Sequence, residues 1–342
     1  MRWTKSSRTI ARQASLRCSA SAILFAALLA STQDTTLRSR SNLVLVPTLV
    51  KDQQGGIVYG LETKDFVIED NGVEQSVQLD EAPEGQAVSL VLAIQTGRRA
   101  SYEFPRLQGL KAMLAPLFEM GTARVAIVEF DSHIHLSRNF SPDERMIDAD
   151  LSSLKPGDDG ASTLDAIASA MDLLKNEAEG RQRVLLLISA TRDHGSKEKI
   201  DDAVAAIGRI NATIYALAFS PSKSNLLDTL RGNNNPDLHP EQTEMHEGTD
   251  LLAPFVLAAE AMRKNVPSTV ASMTGGEYEL FATRKKFEVR MNDFTNHLHS
   301  RYLLSFVPKN PTPGLHRIRV RLKHDPNATV LARTSYWAES VK

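Results

Sequence analysis

The sequence predicts a doubly wound α/β fold with a mostly parallel sheet, inserted in a small β-sandwich built from both ends of the chain. Three observations carry this expectation. Apolar runs of strand length at 88–94, 125–128, 184–188 and 213–219 alternate with stretches whose apolar residues recur every three or four positions. That alternation implies right-handed crossovers and helices on both faces of a parallel sheet. Strand-like segments lie before and after this region, and chain ends that lie together readily accept a domain between them.

Taken in order, residues 42–82 read as β structure. Leu43, Val44, Leu45 and Val46, then Thr48, Leu49 and Val50, precede a polar turn at 52–56 and the short run Ile57, Val58, Tyr59. Segments 66–70 and 73–77 flank Asn71 and Gly72, a pair that tolerates the positive φ of a type I′ hairpin. Residues 81–85 form a polar linker. The α/β region is assigned to 86–300. Its first strand is almost continuously apolar, as expected of a strand covered on both faces. Leu107, Leu110, Met113, Leu114, Leu117 and Phe118 then form a helical stripe. Further strands fall at 125–128 and 134–136, and Leu164, Ile167, Met171 and Leu174 mark the second helix. A helix with Ile200, Val204 and Ile207 separates the strands at 184–188 and 213–219. Residues 220–250, with Asn233, Asn234, Asn235 and Pro236, read as a polar insertion. Two helices, at 252–262 and through Phe287, Met291, Phe294 and Leu298, surround a short strand at 279–282. Residues 301–338 return to β, with period-two alternation at 315–322.

Composition narrows the function. The 342 residues are 42% hydrophobic and 24% charged, and Lys+Arg 40 nearly balances Asp+Glu 41. Disordered and disulfide-scaffold classes are excluded, and no global field attracts nucleic acid. The single cysteine, Cys18, permits neither an intrachain disulfide nor a thiolate zinc site. Residues 1–30 combine Arg2, Lys5, Arg8, Arg12 and Arg17 with a short apolar run from Ser19 to Ala30, the pattern of a secretory signal peptide. The expectation is an exported chain, secreted or periplasmic, with a retained N-terminal anchor as the alternative and no other membrane insertion. Removing that segment leaves a net charge of about −6. There is no Gly-x-Ser-x-Gly elbow, no phosphate-binding Gly-x-x-x-x-Gly-Lys-[Ser/Thr] and no His-Glu-x-x-His, so no catalytic set emerges and a non-enzyme is expected.

Residues 91–99, Val-Leu-Ala-Ile-Gln-Thr-Gly-Arg-Arg, resemble the first strand and metal loop of a von Willebrand factor A domain. Gly160-Ala161-Ser162-Thr163-Leu164-Asp165 resembles that family's threonine loop, and residues 184–191 with Asp193, Gly195 and Ser196 resemble its fourth strand and aspartate loop. Asp65-Phe66, Glu69-Asp70-Asn71-Gly72, Thr274-Gly275-Gly276 and Tyr302-Leu303-Leu304-Ser305-Phe306 are similar to the related family abundant in exported proteins of Acidobacteria. The resemblance covers about residues 43–338. It implies a Mg²⁺ site at the C-terminal edge of the sheet that captures an acidic side chain of a protein partner. Such a site takes hard oxygen donors from an Asp-x-Ser-x-Ser loop, a Thr and a further Asp.

Carried over residue by residue, the first Asp falls on Gln95, the two Ser on Gly97 and Arg99, and the last Asp on Ala190; only Thr163 matches, with Asp193 displaced nearby. The expectation is therefore a degenerate metal-ion-dependent adhesion site with no cofactor. Its partner-binding face would comprise Gln95, Thr96, Gly97, Arg98, Arg99, Thr163, Ala190 and Asp193. Arg98 or Arg99 would replace the cation, because guanidinium pairs bidentately with a carboxylate. The bland alternative is a solvated basic loop. A second reading keeps Mg²⁺ on Thr163 and Asp193. A third is a metallohydrolase using Asp131, His133 and His135, which alternate along an edge strand, with His239, His246 and Glu247 as extra donors. Ser162 or Thr163 is also a plain helix N-cap, and Gly275 and Gly276 a helix C-cap and turn.

Overall fold

The computed structural model describes residues 43–80, 86–98, 100–119, 121–178, 180–219, 252–309, 311–325 and 327–339, which belong to the compact unit Asn42–Lys342. The expected signal segment 1–30, the linker 81–85 and the insertion 220–250 lie outside the described residues.

The chain opens with strands β1 (Val44–Lys51), β2 (Phe66–Asp70), β3 (Val73–Gln75) and β4 (Gln78–Asp80). The α/β region follows, with β5 (Val88–Gln95), α1 (Leu110–Glu119), β6 (Arg124–Phe130), β7 (Ile134–Ser141), α2 (Glu144–Ser152), α3 (Thr163–Lys175) and β8 (Gln182–Ser189). It continues through α4 (Ile200–Arg209), β9 (Thr213–Phe219), α5 (Ala253–Lys264), α6 (Val266–Thr274), β10 (Tyr278–Phe281) and α7 (Arg284–His299). Strands β11 (Tyr302–Phe306), β12 (Gly314–Leu322), β13 (Thr329–Ala332) and β14 (Ser335–Ala338) close it.

The central sheet has the order β10-β9-β8-β5-β6-β7, parallel except for the edge strand β7, which returns antiparallel to β6. Every residue of β5 is buried, which explains its almost continuous apolar run. Val91 and Ala93 face a layer containing α3, α4, α5 and α6, whereas Leu90, Leu92 and Ile94 face α1, α2 and α7. The doubly wound expectation therefore holds.

The terminal strands form two further four-stranded sheets, β13-β1-β11-β4 and β14-β12-β2-β3. Val46, Leu304 and Phe306 of one pack against Phe66, Ile68, Ile318 and Tyr336 of the other. Asn71 and Gly72 take φ of 47° and 83°, as a type I′ turn requires. Pro47 sits inside β1, where its missing N–H is tolerated because pairing with β13 starts only at Thr48. Residues 57–59 do not form the expected strand: Ile57 makes a single bridge to Lys51. The sandwich is fused to the α/β layers. Leu315 of β12 lies in the same apolar cluster as α4 and α5, and a Cβ on Gly208 of α4 would stand 3.0 Å from it, so glycine allows the close approach.

Candidate functional site

Doubly wound sheets place ligands where the strand order reverses, outside the C-terminal ends of the strands. Here that edge is formed by the loops after β5, β6 and β8 and the loop leading into α3. Gln95 ends β5 with its side chain 1% exposed. Its Oε1 accepts a hydrogen bond from the Ala190 N–H at 2.8 Å, and its Nε2 donates to the Gly97 carbonyl at 3.3 Å. One amide thus ties the first loop to the loop after β8. The buried Thr96 hydroxyl donates to the Phe130 carbonyl at 3.2 Å. A Cβ on Gly97 would stand 2.1 Å from the Gly160 carbonyl oxygen and 2.7 Å from Asp131 Cα, so no larger residue fits without moving these loops. Arg98 adopts φ of 52°, held by its N–H donating to the Asp158 carbonyl at 2.6 Å, and its side chain is exposed. Arg99 lies outside the described residues.

Thr163 is fully buried and its hydroxyl donates to the Ala161 carbonyl at 3.2 Å. Asp193 is brought to the start of α3, where its Oδ1 accepts from the Leu164 N–H at 3.0 Å and from the Ser196 hydroxyl at 2.5 Å. This corrects the N-cap reading. Ser162 occupies the cap position but its buried hydroxyl has no partner, and the carboxylate from the neighbouring loop satisfies the helix instead.

These residues do not fit the divalent cation that the family resemblance implies. Such an ion needs several free oxygen donors converging on one point. Gln95 turns its oxygen to a backbone N–H, the space at Gly97 is closed by backbone, and Asp193 is engaged at a helix start.

A second group stands beside this edge. Asp131, 9% exposed, accepts from the His133 N–H at 2.8 Å and the Asp158 N–H at 3.2 Å. Asp158 accepts from the Ser132 and Gly160 N–H groups at 3.0 and 2.7 Å and from the Ser132 hydroxyl. Those bonds, the Ser132 hydroxyl first, hold its carboxyl below the usual range. His133 Nδ1 lies 3.8 Å from Asp131 Oδ1 and 3.9 Å from Asp158 Oδ2, and His135 Nε2 lies 3.6 Å from Asp131 Oδ1. Asp131, His133 and Asp158 together have the donor types and mutual spacing to hold a cation. The sequence pattern found the first two, with His135 alongside. Asp158 was missed, because its approach depends on a loop folding back across 27 residues. His239, His246 and Glu247 lie outside the described residues.

Residues 107–251 match the family model described as the von Willebrand factor type A domain. The match starts beyond the loop carrying Gln95, Gly97 and Arg98. No curated protein matches the sequence. Similar solved structures include BatB from Bacteroides thetaiotaomicron, a conserved hypothetical protein, at 14% identity and TM-score 0.42, covering 62% of this chain and 99% of that one. The vWF domain of the type V pili tip protein Mfa5 from Porphyromonas gingivalis aligns at 9% identity and TM-score 0.39, over 66% of this chain and 98% of that one. A mutant of the PilB minor pilin from Streptococcus sanguinis aligns at 10% identity and TM-score 0.44, over 75% of this chain and 88% of that one. Over residues 107–251 the chain is thus similar to the von Willebrand factor type A domain, and the sheet order above is that of a doubly wound α/β fold.

Proposed function

We propose that this chain is an exported, non-enzymatic protein-binding module whose partner docks on the C-terminal edge of the sheet without a metal ion at the family's usual position. The observation that carries this reading is the Gln95 amide, which joins the two loops that a cation would otherwise bridge. The closed space at Gly97 supports it further. Arg98, exposed and backbone-anchored at this edge, supplies the positive charge for an acidic side chain of the partner. Export rests on the basic and apolar pattern of residues 1–30. Among the described residues no helix is long and apolar enough to cross a membrane.

Titration of Mg²⁺ and Mn²⁺ into the chain, beside a Thr163→Ala variant, tests the proposal. No saturable heat is expected at millimolar metal. Saturable binding lost with Thr163 would show that the usual site is functional and overturn the reading. The spacing of Asp131, His133 and Asp158 favours one alternative, cation binding beside the face rather than in it. Binding that survives Thr163→Ala and disappears in His133→Ala identifies that case.

A further inference from the structure

At the opposite edge of the central sheet, a cavity of about 340 Å³ opens between the first residues of β8 and β9 and the sandwich strands β1 and β11. Leu45, Pro47, Leu298 and Leu303 give it apolar walls. Its charged lining is cationic, formed by Arg181, Arg183, Arg301 and Arg333 beside neutral polar side chains such as Gln86, Gln182 and Asn211, and among the described residues it has no Asp or Glu.

Two nearby carboxylates account for part of this charge. Glu177 stands 3.6 Å from Arg181 and is shared with Arg124 at 3.3 Å. Glu277 stands 3.3 Å from Arg301 and is shared with Lys51 at 2.8 Å and His297 at 2.9 Å. Neither forms an ion pair with Arg183 or Arg333. Arg333 is 3% exposed and donates only to neutral oxygens: the Ser335 and Gly208 carbonyls, both at 2.6 Å, and Asn211 Oδ1 at 3.1 Å. Arg183 donates through Nη2 to the Glu177 carbonyl at 2.8 Å, while its buried Nε has no hydrogen-bond partner. The bonds of Arg333 tie the sandwich to the α/β layers, which explains why a long donor-rich side chain stands there. They do not oppose its charge, and among the described residues neither guanidinium is paired with a carboxylate, although a cation drawn out of water is stabilised by an opposite charge.

We infer that this cavity binds a small organic oxyanion, a carboxylate or phosphate on a compact apolar body, with Arg183 and Arg333 supplying its counter-charge. Guanidinium offers paired N–H donors in the plane of such a group, and a mixed lining of apolar walls with a few polar groups is what small-ligand sites present. The site is separate from the loops at the other sheet edge, so its ligand adds to the proposed partner and does not depend on it.

The test uses the full chain with inorganic phosphate and benzoate as probes, benzamide as the uncharged counterpart of benzoate, and chloride at matched ionic strength. Saturable heat in calorimetric titration and a raised melting midpoint are expected with at least one anion and with neither control. The anion that binds more tightly identifies the head group. Arg183→Gln is expected to weaken binding by roughly tenfold or more while leaving the near-UV circular dichroism unchanged. This position is chosen because Arg183 is only half-buried, whereas replacing Arg333 endangers the fold. A second variant, Leu303→Trp, fills the cavity without changing charge and is expected to abolish binding. Absence of saturable binding by both anions overturns the inference. So does equal affinity for benzoate and benzamide, or unchanged affinity in both variants.

Discussion

Gln95 carries a donor and an acceptor on one planar group, and the two reach different loops. Truncation in Gln95→Ala leaves the Ala190 N–H and the Gly97 carbonyl without these partners in a buried place. A loss of about 1–3 kcal/mol in denaturant unfolding is expected. At the same scale, His316 is held with acceptors on both ring nitrogens: Asp70 Oδ1 lies 2.7 Å from Nδ1 and the Thr312 carbonyl 2.7 Å from Nε2. Burial disfavours its charge, but the bond to Asp70, followed by that to Thr312, outweighs it and raises the pKa above the ordinary 6.5. The resulting stability is fully present below the unfolded value near 6.5 and is lost as pH rises through the folded value. A melting midpoint that falls as the solution is made more alkaline across this window, and a smaller slope in His316→Gln, is the expected result. Tyr336, donating to Asp70 Oδ2 at 2.8 Å, keeps the carboxylate in place in both cases.

Elements differ in how far their sequence announces them. Strand β5 and the Asn71-Gly72 turn were legible because one is an almost continuous apolar run and the other needs two residues with positive φ. Helix α2 was not, since Ile147 is its only buried residue and gives no stripe. Helix α6 was missed for the opposite reason: eight of its nine residues are buried, so no polar face marks the period. Gly275, at φ 81°, did announce its end. In the candidate site the positions of Gln95, Thr163 and Asp193 could be read from local pattern. The tightness of the Gly97 loop could not, because Gly160 and Asp131 approach it only through tertiary folding. That loop bears on any attempt to rebuild the family's motif. Gly97→Ser is expected to destabilise by about 1–3 kcal/mol through overpacking, with no gain of Mg²⁺ binding, as a denaturant melt and a metal titration on the same variant would show.

Across the whole molecule, the sandwich and the α/β layers share side chains and cannot be separated cheaply. Glu277 joins Lys51 of β1, His297 of α7 and Arg301 before β11. Burial opposes its charge, but the hydrogen bond from His297 and the charges of Arg301 and Lys51 prevail, and its pKa is lowered from 4.5 to about 2. The stability it contributes is present above its unfolded value and is lost as pH falls from about 4.5 toward 2. Acid titration should therefore show a loss of stability in that window, and Glu277→Gln should flatten it. The tryptophan signal of Trp337 and the helical signal of α3 to α7 are expected to disappear in one coincident transition, because Trp337 packs on the cluster that those helices build. The placement of β1 and β14 in the sandwich has a mechanical consequence. A pull applied between these two strands loads the antiparallel pairs β1–β13 and β12–β14, while the proposed docking edge lies at the other end of the parallel strands from β1. Under tension, the proposed docking edge is expected to keep its shape until the sandwich opens.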